Sequence, residues 1–183
     1  MKRLLIAFLA TACFHQTSFA AGADVTIDEG RYGDFSGVYA GAQLGASKAQ
    51  FSAFGTTAFS DPYFFGGGHV GFLLQRDRFV GGAELSADFG DIEGFSTRAV
   101  RAKARFGVAV GERGIVTPFV GATFLDVDGF NDTFLNLGVI SEIQVTERLR
   151  MGTMYTADFI DTFSGLGVDG VNHTLQLRAS VTF

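Results

Sequence analysis

Charged residues at every second position are the most informative chemical feature of this 183-residue chain. Three basic residues alternate with small or apolar ones at Arg101, Lys103 and Arg105. Two acidic residues do the same in an earlier segment, at Glu84 and Asp88. Side chains two positions apart share one face of a β-strand, whereas a helix would scatter them around its axis. The pattern therefore predicts two strands whose charged faces can form ion pairs with each other.

Catalytic and metal-binding chemistry has weaker support. Nucleophilic catalysis needs a nucleophile, a histidine and a carboxylate within mutual reach, and no serine motif accompanies His69 or His173. Residues 126–132 (DVDGFND) could offer oxygen ligands to a divalent cation, but they lack the EF-hand spacing, and a solvated acidic loop is the stronger interpretation. We therefore expect no catalytic, cofactor-binding or metal-binding residues, and no enzymatic activity.

The alternation that carries these charges extends over most of the chain. It predicts eight strands: 35–47, 64–75, 79–90, 98–110, 115–126, 134–145, 149–158 and 173–183. The fifth is apolar on both faces, so its inward face cannot be assigned. A composition with 25 Gly and 21 Phe suits a sheet that combines close backbone approach with large apolar side chains.

The connections between these strands alternate in predicted length. Short ones fall at 76–78, 111–114 and 146–148, and longer ones at 48–63, 91–97, 127–133 and 159–172. Short turns on one side and long loops on the other are typical of outer-membrane barrels.

The N-terminus has the pattern of a secretory signal peptide. Two basic residues precede the apolar segment 4–14, and small residues at Ser18 and Ala20 suit cleavage after Ala20. A buried N-terminal helix and a lipoprotein modified at Cys13 are the alternatives. Cys13 is the only cysteine, so the mature chain would contain no disulfide.

The predicted organisation is a signal peptide at 1–20, a short polar leader at 21–34 and one barrel domain at 35–183. A soluble barrel would place the apolar face inside, but the signal peptide, the loop alternation and an apolar stripe ending at Phe183 favour the inverse. In hydrocarbon only a closed sheet pairs all its backbone groups. We therefore predict an all-β, eight-stranded antiparallel up-and-down transmembrane β-barrel in the bacterial outer membrane.

Several segments resemble small outer-membrane barrels of proteobacteria. Residues 41–45 (GAQLG) resemble the first strand of the OmpA transmembrane domain, and 66–72 with 79–84 resemble opacity-type porin-family barrels. The same families are matched by 101–107 and 117–120, and 177–183 is similar to the terminal strand that the barrel-assembly machinery reads, which implies an assembly signal at Phe183.

The resemblance also has implications for the lumen. Glu84, Glu142 and Arg105 fall where OmpA-type barrels carry the acidic and basic residues of a gate, whereas Gly152 falls where that pattern has an arginine. Haem binding, known for some relatives, is implied by the resemblance alone.

An eight-stranded barrel is just wide enough to be filled by its own side chains. By parity, the inward charged residues are Glu84, Asp88, Arg101, Lys103, Arg105, Glu142 and Arg178. A register in which paired residue numbers sum to 189 would place Glu84 opposite Arg105 and Asp88 opposite Arg101.

The expected function is that of a structural, surface-exposed barrel with a largely plugged lumen. A small or gated porin-like channel is the alternative, and a lipid-modifying outer-membrane enzyme is a weaker one. Expected partners are outer-membrane lipid, lipopolysaccharide and the barrel-assembly machinery. The net charge of −5 argues against nucleic acid, and we expect a monomer without a cofactor.

Overall fold

A computed structural model describes residues 32–53, 56–59, 61–92, 95–160 and 169–183. The predicted signal peptide and most of the predicted leader lie outside these residues. The strands are β1 Gly37–Ala53, β2 Thr56–Phe59, β3 Tyr63–Arg76, β4 Phe79–Ile92, β5 Phe95–Val110, β6 Gly114–Val127, β7 Phe130–Gln144, β8 Leu149–Ile160 and β9 Asp169–Thr182. No helix that is long and apolar enough to cross a membrane occurs among the described residues.

The strands form one closed antiparallel sheet. From β3 to β9 each strand pairs with the next along the chain, and β9 pairs with β1 to close the barrel. β2 and β3 lie one after the other along the same side of β1, so together they occupy one strand position of eight. The predicted fold class, an eight-stranded antiparallel β-barrel, is confirmed.

The strands are longer than predicted, and three of the predicted long connections are wrong. Segment 48–63 contains the end of β1 and all of β2. Segment 127–133 contracts to a two-residue turn at Asp128 and Gly129, whose φ angles of 51° and 89° suit the tight turn of a hairpin. Similarly, β4 and β5 extend through most of 91–97. The physical reason is that ladder hydrogen bonds join backbone groups, so polar residues can continue a strand beyond its apolar part.

The two faces of the barrel wall differ sharply in chemistry. On β5 the inward Arg101, Lys103 and Arg105 are buried, whereas the outward Phe106 and Val110 are more than half exposed. The same parity holds on β6, where Ile115, Thr117, Phe119 and Thr123 are buried. This assigns the inward face of the fifth predicted strand. The barrel is therefore polar inside and apolar outside.

Candidate functional site

The described lumen contains layers of side chains along the barrel axis. We call the end with the turns 77–78, 111–113 and 145–148 the turn end, and the opposite end, which carries the Asp128–Gly129 turn, the hairpin end. A central cluster of ions lies between an apolar layer at the turn end and a second ion cluster toward the hairpin end. The seven lumen residues predicted from parity are all buried in these two clusters: Glu84, Asp88, Arg101, Lys103, Arg105, Glu142 and Arg178.

Glu84 on β4 is the centre of the first cluster. Its Oε1 accepts a hydrogen bond from Lys103 Nζ at 2.8 Å, and its Oε2 lies 3.0 Å from Arg105 Nη1. Arg178 Nη2 and the Tyr39 hydroxyl also donate to Oε2, at 2.5 and 2.8 Å. These five side chains come from four strands, so the cluster ties together distant parts of the wall.

Glu142 on β7 extends this cluster across the lumen. Its Oε2 accepts from Arg105 Nη2 at 2.6 Å, and its Oε1 lies 3.5 Å from Arg178 Nε. The Thr117 hydroxyl accepts from the Nε and Nη2 atoms of Arg105 at 3.2 and 2.9 Å. Arg105 therefore bridges both glutamates, and charge-assisted bonds of this kind are among the stronger hydrogen bonds in proteins.

The second ion cluster joins Asp88 and Asp158 through Arg101. Arg101 Nη1 lies 2.6 Å from Asp88, and its Nη2 lies 3.1 Å from Asp158. Gln43 and Gln176 also donate to Asp88, at 2.7 and 3.2 Å. The two clusters together contain four acidic and four basic side chains, so their formal charges cancel.

The predicted register of β4 and β5 is wrong by two residues. Paired residue numbers sum to 187, so Glu84 lies opposite Lys103, not Arg105, and Asp88 lies opposite Ala99. A shift of two positions keeps every side chain on its original face, whereas a shift of one would reverse the faces. Glu84 consequently still contacts Arg105, and Asp88 still contacts Arg101, along diagonals of the ladder.

The chain before β1 closes the turn end of the lumen. Phe35, predicted as the start of the first strand, lies outside the ladder with only 2% of its surface exposed. It packs with inward residues of β1, β3, β4, β5 and β6, namely Tyr39, Leu73, Val80, Ala109 and Ile115. Its backbone N–H donates to Gln75 Oε1 at 3.0 Å, and its carbonyl accepts from Arg150 Nη1 at 3.3 Å.

The lumen residues predicted from the sequence do not include Tyr39, Arg150, Asp158 and Gln176, which are also buried there. The signal was available for each, because each shares its parity with inward residues of its own predicted strand. Arg150 lies with its guanidinium carbon 4.7 Å from the centre of the Tyr39 ring. Parity does not give the position of a side chain along the barrel axis, and that position decides its partners.

Gly152 leaves room for the central cluster. It lies opposite Glu142 on the neighbouring strand, and an added Cβ would meet the backbone and side chain of Glu142 and the carbonyl of Ser141. The arginine of the OmpA-type pattern therefore has no space at this position. Arg105 and Arg178 contact Glu142 instead.

The two histidines among the described residues, His69 and His173, occupy different surroundings. His69 points into the lumen, where its Nε2 lies 2.8 Å from Ser180 Oγ, and Ser180 Oγ donates to Glu142 Oε1 at 3.4 Å. The carboxylate thus contacts the serine and not the histidine, unlike the order of a catalytic triad. His173 faces outward against Tyr155. No group of His, Cys, Asp and Glu able to hold a metal occurs within the described ranges.

Comparison with known proteins identifies the fold. No family model and no curated protein matches the chain. Among solved structures, a de novo designed transmembrane β-barrel has a TM-score of 0.51 at 9% identity, covering 82% of this chain and 99% of the design. Ail, the attachment invasion locus protein of Yersinia pestis, has a TM-score of 0.50 at 12% identity, covering 81% of this chain and 99% of its own. At such identities the likeness shows a shared fold, the small transmembrane β-barrel.

Proposed function

We propose that this protein is a structural barrel of the bacterial outer membrane, with a closed lumen and a surface-exposed hairpin end, and that it is not an enzyme. The observation that carries the proposal is the filled interior. Two ion clusters whose formal charges cancel together cross the lumen, and Phe35 occupies its turn end. The fold is shared with a designed transmembrane barrel, which supports the membrane setting.

The outer surface supports a membrane location independently. Large apolar side chains are exposed on it on β1 and on β3 to β9, including Leu44, Phe64, Leu74, Ile143 and Leu177. A soluble monomer rarely exposes a continuous apolar surface of this kind. In hydrocarbon the same surface is favourable, and closure of the sheet satisfies the backbone. Closure through the β1–β9 pairing also removes the free edges of an open sheet among the described strands, except at the four-residue β2, which supports a monomer.

The buried position of the reactive groups argues against catalysis. His69 and Ser180 are at most 5% exposed, and both are already engaged in the lumen network. A substrate would have to displace several ion pairs to reach them. A nucleophile and base that never meet substrate have no catalytic use.

A narrow channel is the second candidate function, and one observation favours it. Within the described lumen, Gln43 Oε1, Gln176 Oε1 and the Nε and Nη2 atoms of Arg150 have no hydrogen-bond partner in the protein. Buried polar atoms of this kind are commonly satisfied by water. A continuous file of water past the ion clusters would allow small ions to cross.

Planar-bilayer conductance distinguishes the closed barrel from the channel. The refolded mature protein is expected to give no discrete openings, because the ion clusters and Phe35 obstruct the lumen. Phe35→Ala removes the apolar obstruction but leaves the ion clusters, so we expect brief openings at most. Phe106→Ala, on the outer face, controls for the loss of a phenyl ring. A steady conductance of the unaltered protein would establish the channel and overturn the proposal.

The proposal includes export through the periplasm and removal of a signal peptide. N-terminal sequencing of the protein from outer membranes is expected to begin at Ala21, because small residues precede that position in the pattern that signal peptidase cleaves. A retained Met1 or a lipid-modified Cys13 would contradict this part of the proposal.

A further inference from the structure

We propose that Lys48, His173 and Tyr155 form a binding site on the outer wall for a phosphate group of an outer-leaflet lipid, such as the phosphorylated glucosamine of lipopolysaccharide. The proposal rests on the outer-membrane function above, because that function places the hairpin end on the cell surface, where short turns face the periplasm. None of the charged residues of the two ion clusters lines this site.

The three side chains lie side by side on adjacent strands. Lys48 on β1 is the direct cross-strand neighbour of His173 on β9, and Tyr155 on β8 lies opposite Leu175. The Tyr155 hydroxyl is 2.7 Å from His173 Nδ1, and the two rings stack with centroids 6.1 Å apart. When Nδ1 accepts a hydrogen bond from the tyrosine hydroxyl, the ring N–H is on Nε2, which is then a donor.

A groove accompanies these polar groups. It has a volume of about 220 Å³ and is lined by the apolar side chains of Ala46, Pro62 and Leu175 together with Lys48, Tyr155 and His173. The groove arises beside an interruption of the sheet, because the register of β3 along β1 ends at Ser47 and that of β2 begins at Gln50. A narrow ligand can therefore approach the wall here more closely than at the continuous ladder.

The location on the wall identifies the ligand. Toward the turn end, the outward residues of β1 and β9 next to this row are apolar, with Ala46 and Leu44 on one strand and Leu175 and Leu177 on the other. Lys48 and His173 are the first outward ionisable groups that follow them toward the hairpin end. A ligand that fits must combine an apolar part in the groove with an anion beside the lysine and the imidazole. A lipid whose acyl chain lies against the wall and whose phosphate lies at the membrane surface has this form.

Lipid titration of the folded protein tests the site. The mature protein is inserted into phosphatidylcholine nanodiscs, lipid A that carries its phosphates is added, and bound lipid A is counted by native mass spectrometry. The Lys48→Gln/His173→Gln double variant is expected to bind lipid A about tenfold more weakly, because charge-assisted hydrogen bonds to the phosphate are lost. Tyr155→Phe, which keeps the ring but removes the hydroxyl, is expected to have a smaller effect in the same direction.

Two comparisons make the test specific. Arg98→Gln removes another exposed, outward cation, and it should leave binding unchanged; equal weakening by this variant would show general charge attraction and overturn the site. Equal binding of dephosphorylated lipid A by the unaltered protein would overturn it too. Heat-modifiable migration of each variant reports folding separately. Failure of the unaltered protein to insert into bilayers would instead refute the proposed membrane function.

Discussion

At the scale of single residues, the lumen is organised around Glu84. Its two oxygens receive hydrogen bonds from Lys103, Arg105, Arg178 and Tyr39. Taking so many charges out of water is costly, and the cost is offset only where each charge has partners of good geometry. The charged character of this face could be predicted from alternation alone, but the partners could not, because they depend on register and on rotamers of long side chains.

The Glu84→Ala, Arg105→Ala and double variants test this organisation. Glu84→Ala leaves three cations without their shared partner and is expected to lower the free energy of unfolding by roughly 3–5 kcal/mol. Arg105→Ala is expected to cost less, because Lys103 and Arg178 remain on Glu84. The double variant should cost less than the sum of the single changes.

Urea unfolding of the protein folded in lipid bilayers measures these differences. Arg98→Ala, at an exposed outward position, is the control and should stay within about 0.5 kcal/mol of the unaltered protein. Additive effects of Glu84→Ala and Arg105→Ala would show that the two residues do not interact.

At the scale of strands, the faces were predictable and the ends were not. The charged residues that parity placed inward on β4, β5, β7 and β9 are buried in the lumen, because one buried face imposes a strict period of two. Parity left the inward face of β6 unassigned. The hairpin between β6 and β7 escaped prediction because its paired residues Asp126 and Asn131 resemble loop residues. The inward position of Phe35 was not predicted either, because an apolar residue before a strand has no periodic signal of its own.

Closure of the barrel at the last strand gives a prediction for assembly. Phe183 follows β9, its N–H donates to the Val38 carbonyl at 3.0 Å, and its ring is 82% exposed on the outside. We expect deletion of Phe183 to reduce outer-membrane assembly severely, because the ring is available to the assembly machinery and the backbone contact helps to close the sheet. Phe106→Ala, which alters an outward ring within a strand, should assemble nearly normally.

Heat-modifiable migration of outer-membrane fractions measures assembly of both variants. Undiminished amounts of the folded form without Phe183 would show that the terminal aromatic residue has no role in assembly.

At the scale of the whole molecule, the protein reverses the arrangement of a soluble barrel. Its ions are inside, its phenylalanine and leucine side chains are outside, and its backbone is closed into a ring of strands. This arrangement could be predicted from the sequence because it depends on the alternation in all the strands together. An error in the prediction of one strand does not change it. The filling of the lumen could not, since it depends on where β1 begins and how Phe35 turns inward.

Photochemical labelling from the lipid tests this inside-out arrangement most directly. The unaltered protein is folded into vesicles whose acyl chains carry diazirines, irradiated, digested and mapped by mass spectrometry at single residues of β9. We expect lipid adducts on the outward Leu175 and Leu177 and none on the inward Gln176 and Arg178, because only the outward residues contact hydrocarbon. Adducts on Gln176 and Arg178, with Leu175 and Leu177 protected, would contradict the inside-out arrangement. They would show instead a barrel with an apolar core.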